Sequence, residues 1–213
     1  MKKTDNILVV LPHPDDEAFG LAGSLAMHAS QGAHITYACL TLGEMGRNMG
    51  FPPIASRVTL PQIRKAELEA SCRAIGIQDL RLLGFHDKTI EFEDEAVLDG
   101  KIGGLIDELK PSIIYTFYPG YSVHPDHNAC GAAVVRAAGR LPERDRPAVL
   151  CLAFSRDHEK YIGKPDVVRD VSKYLNQKKA SLAGHRTQFR FTFTDAEFRE
   201  RFGVERFWTY PFR

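Results

Sequence analysis

Two short segments hold side chains able to do chemistry together. The first is His13-Pro14-Asp15-Asp16-Glu17, entered directly from the apolar run Val9-Val10-Leu11-Pro12. The second is His124-Pro125-Asp126-His127, reached from Ile113-Ile114-Tyr115-Thr116-Phe117 through Pro119-Gly120-Tyr121-Ser122-Val123. Imidazole nitrogens and carboxylate oxygens are ligands of zinc. A hydrolytic zinc site takes three protein ligands, often two histidines and one carboxylate, and keeps one position for water. His13 and Asp16, three residues apart, can present a nitrogen and an oxygen on one side of a turn. The bland account of the first segment is a helix start, with Pro14 at the first helical position and Asp15, Asp16 and Glu17 in a first turn that favours acids. That account leaves His13 unexplained, because a positive charge belongs at the other end of a helix.

Two neighbouring acids on one turn do not readily bind one ion together. The pattern therefore predicts His13, Asp16 and His127 as metal ligands, Asp15 as general base, and His124 free to stabilise or protonate the reaction centre. Asp126 is expected to orient one of the histidines, since such imidazoles usually donate their second N–H to a carboxylate or carbonyl. Two nitrogens and an oxygen suit zinc, and also Fe(II), Co(II) or Mn(II).

The segments meet only if the fold brings them together. β-branched runs at 6–11, 34–40, 80–83, 112–117 and 148–154 read as strands, separated by helical patterns at 16–30, 60–74, 94–109 and 126–139. This alternation predicts an α/β fold, a mostly parallel doubly wound sheet flanked by helices. Turns that follow parallel strands collect at the sheet's carboxyl edge, where ligands bind. Thr59-Leu60-Pro61-Gln62 reads as a capping box opening the second helix. Toward the end, 172–183 reads as a helix, Arg190-Phe191-Thr192-Phe193-Thr194 alternates like a strand, and Asp195 is placed to cap a last short helix. The stretch 43–59, rich in Gly, Asn and Pro, reads as a long loop bordering the site.

The 213 residues suit one domain, 1–213, able to remove about 70% of its unfolded surface on folding, so a metal is not needed merely to hold it together. Lys and Arg number 28 against 27 Asp and Glu, for a net charge of +1, which gives nucleic acid or an acidic membrane no electrostatic purchase. The start, Met-Lys-Lys-Thr-Asp-Asn followed by a short apolar run, is too brief for a signal peptide or a membrane span. Four scattered cysteines without a C-x-x-C read as buried free thiols, and the expected compartment is the cytoplasm. No G-x-G-x-x-G follows the first strand, so a dinucleotide cofactor is not expected.

The strand-His-Pro-Asp-Asp-Glu pattern with a later His-Pro-Asp-His resembles the LmbE-like, or PIG-L, family of zinc-dependent N-deacetylases acting on N-acetylglucosamine derivatives. Thr41-Leu42-Gly43-Glu44, Arg64-Lys65-Ala66-Glu67 and the stretch from Asp170 to Gln188 look like family segments. Gly43-Glu44-Met45-Gly46-Arg47-Asn48-Met49-Gly50 is similar to the bacillithiol-biosynthesis deacetylases of the second type. The resemblance implies a Rossmann-like fold, one zinc ion on His13, Asp16 and His127, and Asp15 as base. It further implies His124 as oxyanion stabiliser or acid, Asp126 supporting His124, and Arg64 contacting the sugar. It also implies an amino-sugar substrate, with N-acetylglucosaminyl-malate as the subfamily's, and a homo-oligomer, a trimer or hexamer. The family's tyrosine two residues before the second motif is Ser122 here, with Tyr121 one place earlier.

Glu44 is a candidate for sugar hydroxyls, and Arg47, Arg57 and Arg64 are candidates for an anionic substituent. His86, after the third strand, could border the cleft, whereas His28 and His34 read as surface residues and His185 as structural. The rival readings are a metallo-phosphoesterase, which commonly needs two metals, and a non-catalytic sugar-binding protein on the same fold, which would have no use for Asp15.

Overall fold

A computed structural model describes residues 5–212; residues 1–4, where the reading of the N-terminus began, lie outside the described residues. The chain runs β1 (Asn6–Leu11), α1 (Asp16–Gly20), α2 (Ala22–Ser30), β2 (His34–Cys39), α3 (Leu60–Ile75), β3 (Asp79–Leu82), α4 (Glu95–Leu109) and β4 (Ile113–Phe117). It continues with α5 (Pro125–Gly139), β5 (Ala148–Leu152), α6 (His158–Ile162), β6 (Val167–Asp170), α7 (Leu175–Gly184), α8 (Asp195–Phe202) and β7 (Val204–Thr209). The strands form one seven-stranded sheet in the order β3-β2-β1-β4-β5-β7-β6, parallel through β5. β7 pairs antiparallel with both β5 and β6.

β1 explains the centre of this arrangement. Ile7, Leu8, Val9, Val10 and Leu11 are at most 2% exposed, as expected for a parallel strand covered on both faces. Alternate side chains enter opposite layers. Ile7, Val9 and Leu11 pack with Leu25, Leu68 and Cys72 of α2 and α3, while Leu8 and Val10 pack with Leu98, Ile102, Cys130 and Val134 of α4 and α5. Each such aliphatic side chain contributes roughly 1.5–3 kcal/mol by leaving water. The strand has β2 on one side and β4 on the other. Connections therefore leave in opposite directions there and open a crevice at the carboxyl edge. Among the described residues no helix is long and apolar enough to cross a membrane, and all four cysteines are buried and free.

Several local expectations are corrected. The helix read at 16–30 is two helices, broken at Leu21 (φ −128°). The break gives α2 its own N-terminus, whose Gly23 and Ser24 amides donate to the Glu205 carboxylate at 3.0 and 2.7 Å. Pro14 is not the first helical residue, since α1 starts at Asp16 with Asp15 as its cap. Thr59 caps nothing with its side chain, because Oγ1 instead accepts from the Ser56 amide at 2.9 Å. Residues 190–194 are no strand: Phe191 and Phe193 turn onto Phe189, Phe198 and Phe202, an aromatic cluster whose spacing mimics strand alternation. Thr194, not Asp195, caps α8, in a reciprocal box with Glu197. His28 is buried rather than on the surface, with Nε2 2.8 Å from the Tyr115 hydroxyl.

Candidate active site

The turn after β1 and the turn before α5 meet over the carboxyl ends of β1 and β4. The second turn is built as its sequence suggests: Pro125 opens α5, and the His124 cap accepts the Asp126 amide on Nδ1 at 3.1 Å. The first is not a copy of it. Asp15 adopts φ 107°, ψ −25°, a left-handed conformation for a non-glycine cap, and its carboxylate makes no capping bond. That turn leaves the Asp15 side chain free of the helix and brings His13 back toward α5.

His13, Asp16 and His127 converge. His13 Nδ1 lies 3.3 Å from His127 Nε2, His127 Nε2 lies 3.3 Å from Asp16 Oδ1, and His13 Nδ1 lies 3.6 Å from Asp16 Oδ2. Tetrahedral donors at the usual zinc distances of about 2.0–2.1 Å are about 3.3–3.4 Å apart, so the donor set fits one small divalent cation. The Asp16 carboxylate is steadied by the His13 amide at 2.9 Å, and the His127 ring stacks on Phe117 with centroids 3.8 Å apart. His13, His124 and Asp126 form a second group of metal-type donors. There, however, Asp126 Oδ2 already accepts the Lys88 amide at 2.7 Å, and His124 Nδ1 accepts the Asp126 amide.

The other nitrogen of His13 is engaged by two acids. Nε2 faces Asp126 Oδ2 at 3.2 Å and Asp87 Oδ1 at 3.1 Å, which leaves Nδ1 free for a metal. The Asp126 carboxylate thus holds His13, while its contact with His124 is through the backbone amide. Asp87 was missed from the sequence. It is 3% exposed, accepts the Met45 amide at 2.8 Å, and follows β3 on the same sheet edge as the two histidine turns. Its position next to His86 in a post-strand loop was the available signal. Asp15 faces the Arg64 guanidinium, while Asp16, Asp87 and Asp126 crowd the His13 and His127 imidazoles, an excess of carboxylate that a divalent cation relieves. The same excess shows in His13: burial opposes its charge, yet Asp126, Asp16 and Asp87 hold its pKa well above the usual value.

Burial, opposed by Arg64 and helped by Asp16, pushes the Asp15 carboxyl up to about 7. Arg64, 3% exposed, spends its guanidinium inside the protein, on Asp15 Oδ2 at 3.2 Å, on the Gly43 carbonyl at 2.8 Å and on the Pro14 carbonyl. Gly43 (φ 61°) lies so close beneath it that a Cβ there would collide with the guanidinium. His124 stands 5.0 and 5.2 Å, ring to ring, from His13 and His127. Burial and those two imidazoles hold its pKa below the usual value. With Nδ1 accepting an amide, its neutral form carries the proton on Nε2 as a donor.

The remaining candidates are placed as follows. Glu44 Oε1 accepts the Asp87 amide at 2.8 Å and lies 3.6 Å from the largely exposed His86 ring, so both border the cluster. Arg57 bonds the Glu44 and Gly46 carbonyls at 2.6 and 2.9 Å and braces the loop, whereas Arg47 is exposed on it. Tyr121 sits among Tyr118 and Tyr161, and its carbonyl accepts the Phe154 and Ser155 amides. Ser122 is buried and bonded to the Tyr118 carbonyl. His185 is buried against Glu17 at 2.7 Å.

The family model described as PIG-L, GlcNAc-PI de-N-acetylase, matches residues 8–138, which contain both histidine turns. The chain belongs to the PIG-L family. Within the family's named proteins it is 47% identical, over 96% of its length and 97% of the relative's, to a Bacillus cereus protein named as a probable N-acetyl-alpha-D-glucosaminyl L-malate deacetylase 2. Its fold is that of N,N'-diacetylchitobiose deacetylase from Pyrococcus horikoshii, with a TM-score of 0.69 at 23% identity over 94% of this chain and 74% of that one. The 4-carboxy-2-hydroxymuconate hydratase GalB from Pseudomonas putida shares it too, with a TM-score of 0.73 at 17% identity over 93% of this chain and 83% of that one. The PIG-L fold therefore supports more than one chemistry, and function is argued from the site.

Proposed function

We propose that the chain is a metal-dependent N-deacetylase that hydrolyses the acetamide of an N-acetylglucosamine conjugate, N-acetyl-α-D-glucosaminyl L-malate, to the free amine and acetate. The observation that carries this reading is the division of labour between adjacent acids. Asp16 joins His13 and His127 in a three-donor cluster, while Asp15 stays outside it with its carboxyl pushed up to about 7. A zinc ion held by His13, Asp16 and His127 supplies Lewis acidity toward an acyl oxygen and toward water. Asp15, kept in place by Arg64, accepts the proton of the attacking water on a carboxylate oxygen and returns it to the departing amine nitrogen. His124, neutral and with Nε2–H available, donates a hydrogen bond to the oxygen on which negative charge develops. Asp126 and Asp87 accept from His13 Nε2–H, which leaves Nδ1 as the nitrogen that would give up its proton to a metal ion. Glu44, beside the cluster, is a candidate to accept from sugar hydroxyls, and Tyr121 and Arg47 remain candidates for substrate contact. The two metal-type groups among the described residues share His13, which favours one ion over the pair common in phosphoryl transfer.

The test is amine release from N-acetylglucosaminyl malate, with and without a chelator, together with metal content of variants. Asp15→Ala is expected to retain its metal and lose about 10²–10⁴-fold in turnover, and His13→Ala to lose both. Equal metal loss in the two variants, or full activity in chelator, would refute the assignment.

A further inference from the structure

Behind Asp15 lies a buried polar network that the reaction does not touch. Asp15 holds its left-handed backbone without a side-chain cap, and such a conformation persists only where the surroundings over-determine it. Its carbonyl accepts the Ala18 and Phe19 amides at 3.0 and 3.2 Å. Its amide donates to Glu17 Oε2 at 3.1 Å. Glu17 is wholly buried, and its Oε1 accepts from Ser71 Oγ at 2.5 Å and from His185 Nε2 at 2.7 Å. The Tyr37 hydroxyl approaches Oε2 at 3.4 Å, and Ser71 is itself bonded to Ser181 at 2.7 Å. Donors from β2, α3 and the C-terminal end of α7 thus fix one carboxylate at the back of the catalytic turn.

This arrangement reverses the usual helix start. A capping residue ordinarily turns its own side chain onto the amides of the first turn, and a glutamate at the third helical position reaches back to the cap amide. Here Glu17, at the second position, performs the reach-back while Asp15 performs no capping, so the Asp15 carboxylate is free of the helix and faces Arg64.

We propose that Glu17, held by Ser71 and His185, is a positioning residue: it keeps the Asp15 backbone in the conformation that aims the Asp15 carboxylate at the reacting water. The proposal rests on Asp15 being the proton acceptor. It assigns to the buried Glu17–His185 pair a role in the rate and none in holding the metal or the sugar.

The experiment is a mutant cycle on the zinc-loaded protein with N-acetylglucosaminyl malate. Glu17→Gln keeps the volume and one acceptor but loses the second carboxylate oxygen. It is expected to lower kcat about 10–100-fold, with KM and the Zn2+ affinity from chelator competition within about twofold of the parent. In an Asp15→Ala background, where no carboxylate remains to be aimed, Glu17→Gln should lower the residual rate no further. Ser71→Ala removes a single donor to Glu17 and carries the same cycle with a smaller fall, about 3–10-fold, should Glu17→Gln fail to fold. A normal kcat in both variants overturns the proposal, and so does the same fold-loss with and without Asp15, which would mark a merely structural role. Asp15→Ala with the parent's rate would instead overturn the reading of Asp15 itself, and the positioning role with it.

Discussion

Replacing Arg64 separates two roles that its sequence position allows. A sugar- or anion-gripping arginine contributes to KM, whereas the structure places its guanidinium 3.2 Å from Asp15 Oδ2, both side chains largely out of water. A cation at that range typically lowers a carboxyl pKa by about 1–3, and the partial exposure of Asp15 places the effect toward the lower half of that range. In Arg64→Met, burial, Asp16 and Glu17 are then opposed only by the weaker effect of His185, and the Asp15 pKa rises. The base works ionised, so its acid limb moves to higher pH. For a group starting at about 7, a rise of about 1–2 lowers the ionised fraction at pH 7 roughly 5–50-fold. The loss should disappear at alkaline pH. The assay is kcat/KM for amine release from about pH 5.5 to 9.5, with kcat and KM resolved. Arg64→Lys keeps the charge and should leave the limb within about half a pH unit, at some cost to the loop carbonyls of Pro14 and Gly43. An unmoved limb in Arg64→Met accompanied by a raised KM would refute the reasoning and return Arg64 to the substrate.

Two further outcomes concern stability. Glu205, 3% exposed, receives the Lys178 ammonium at 2.5 Å as well as the two α2 amides, so Glu205→Ala strands a buried cation and uncaps a helix. The loss should be about 3–5 kcal/mol, or roughly 6–20 °C in a thermal melt followed by circular dichroism. Adding Lys178→Met should recover part of it, and a double variant no more stable than the single would contradict the unpaired-charge argument. His28 is pushed down to about 4 by burial and by Arg169. The unfolded chain then binds one more proton than the folded one between that value and the ordinary histidine value of about 6.5. The corresponding stability is therefore complete above that window and lost as pH falls through it, on the order of 2–3 kcal/mol in all. Urea midpoints of His28→Gln should show a shallower decline across the window than the parent; parallel declines would exclude His28 as a source.

Legibility in the sequence followed the range of the interaction. β1, β2, β4 and β5 are apolar runs because strands of a parallel sheet are buried on both faces, so composition alone locates them. His13, Asp16 and His127 stood out because a metal demands particular donor atoms, and a strand-turn-helix junction offers few positions for them. β6, β7 and the break at Leu21 left no such mark. β7 is half polar, and Glu205 within it serves α2 across 182 residues of chain. The phenylalanines near residue 191 alternate as a strand would, yet pack on one another.

What this sequence determined by itself is the inventory: a mostly parallel α/β sheet, two histidine turns that follow its strands, and the motifs that mark the PIG-L family. Tertiary structure alone decided the assignments within that inventory. It put Asp126 and Asp87 on His13, turned Arg64 inward onto Asp15, and set Glu17 behind the first histidine turn. Donor types are written into single residues, but which donor meets which acceptor depends on distances of about 3 Å between segments far apart in the chain, and only the packed fold sets those.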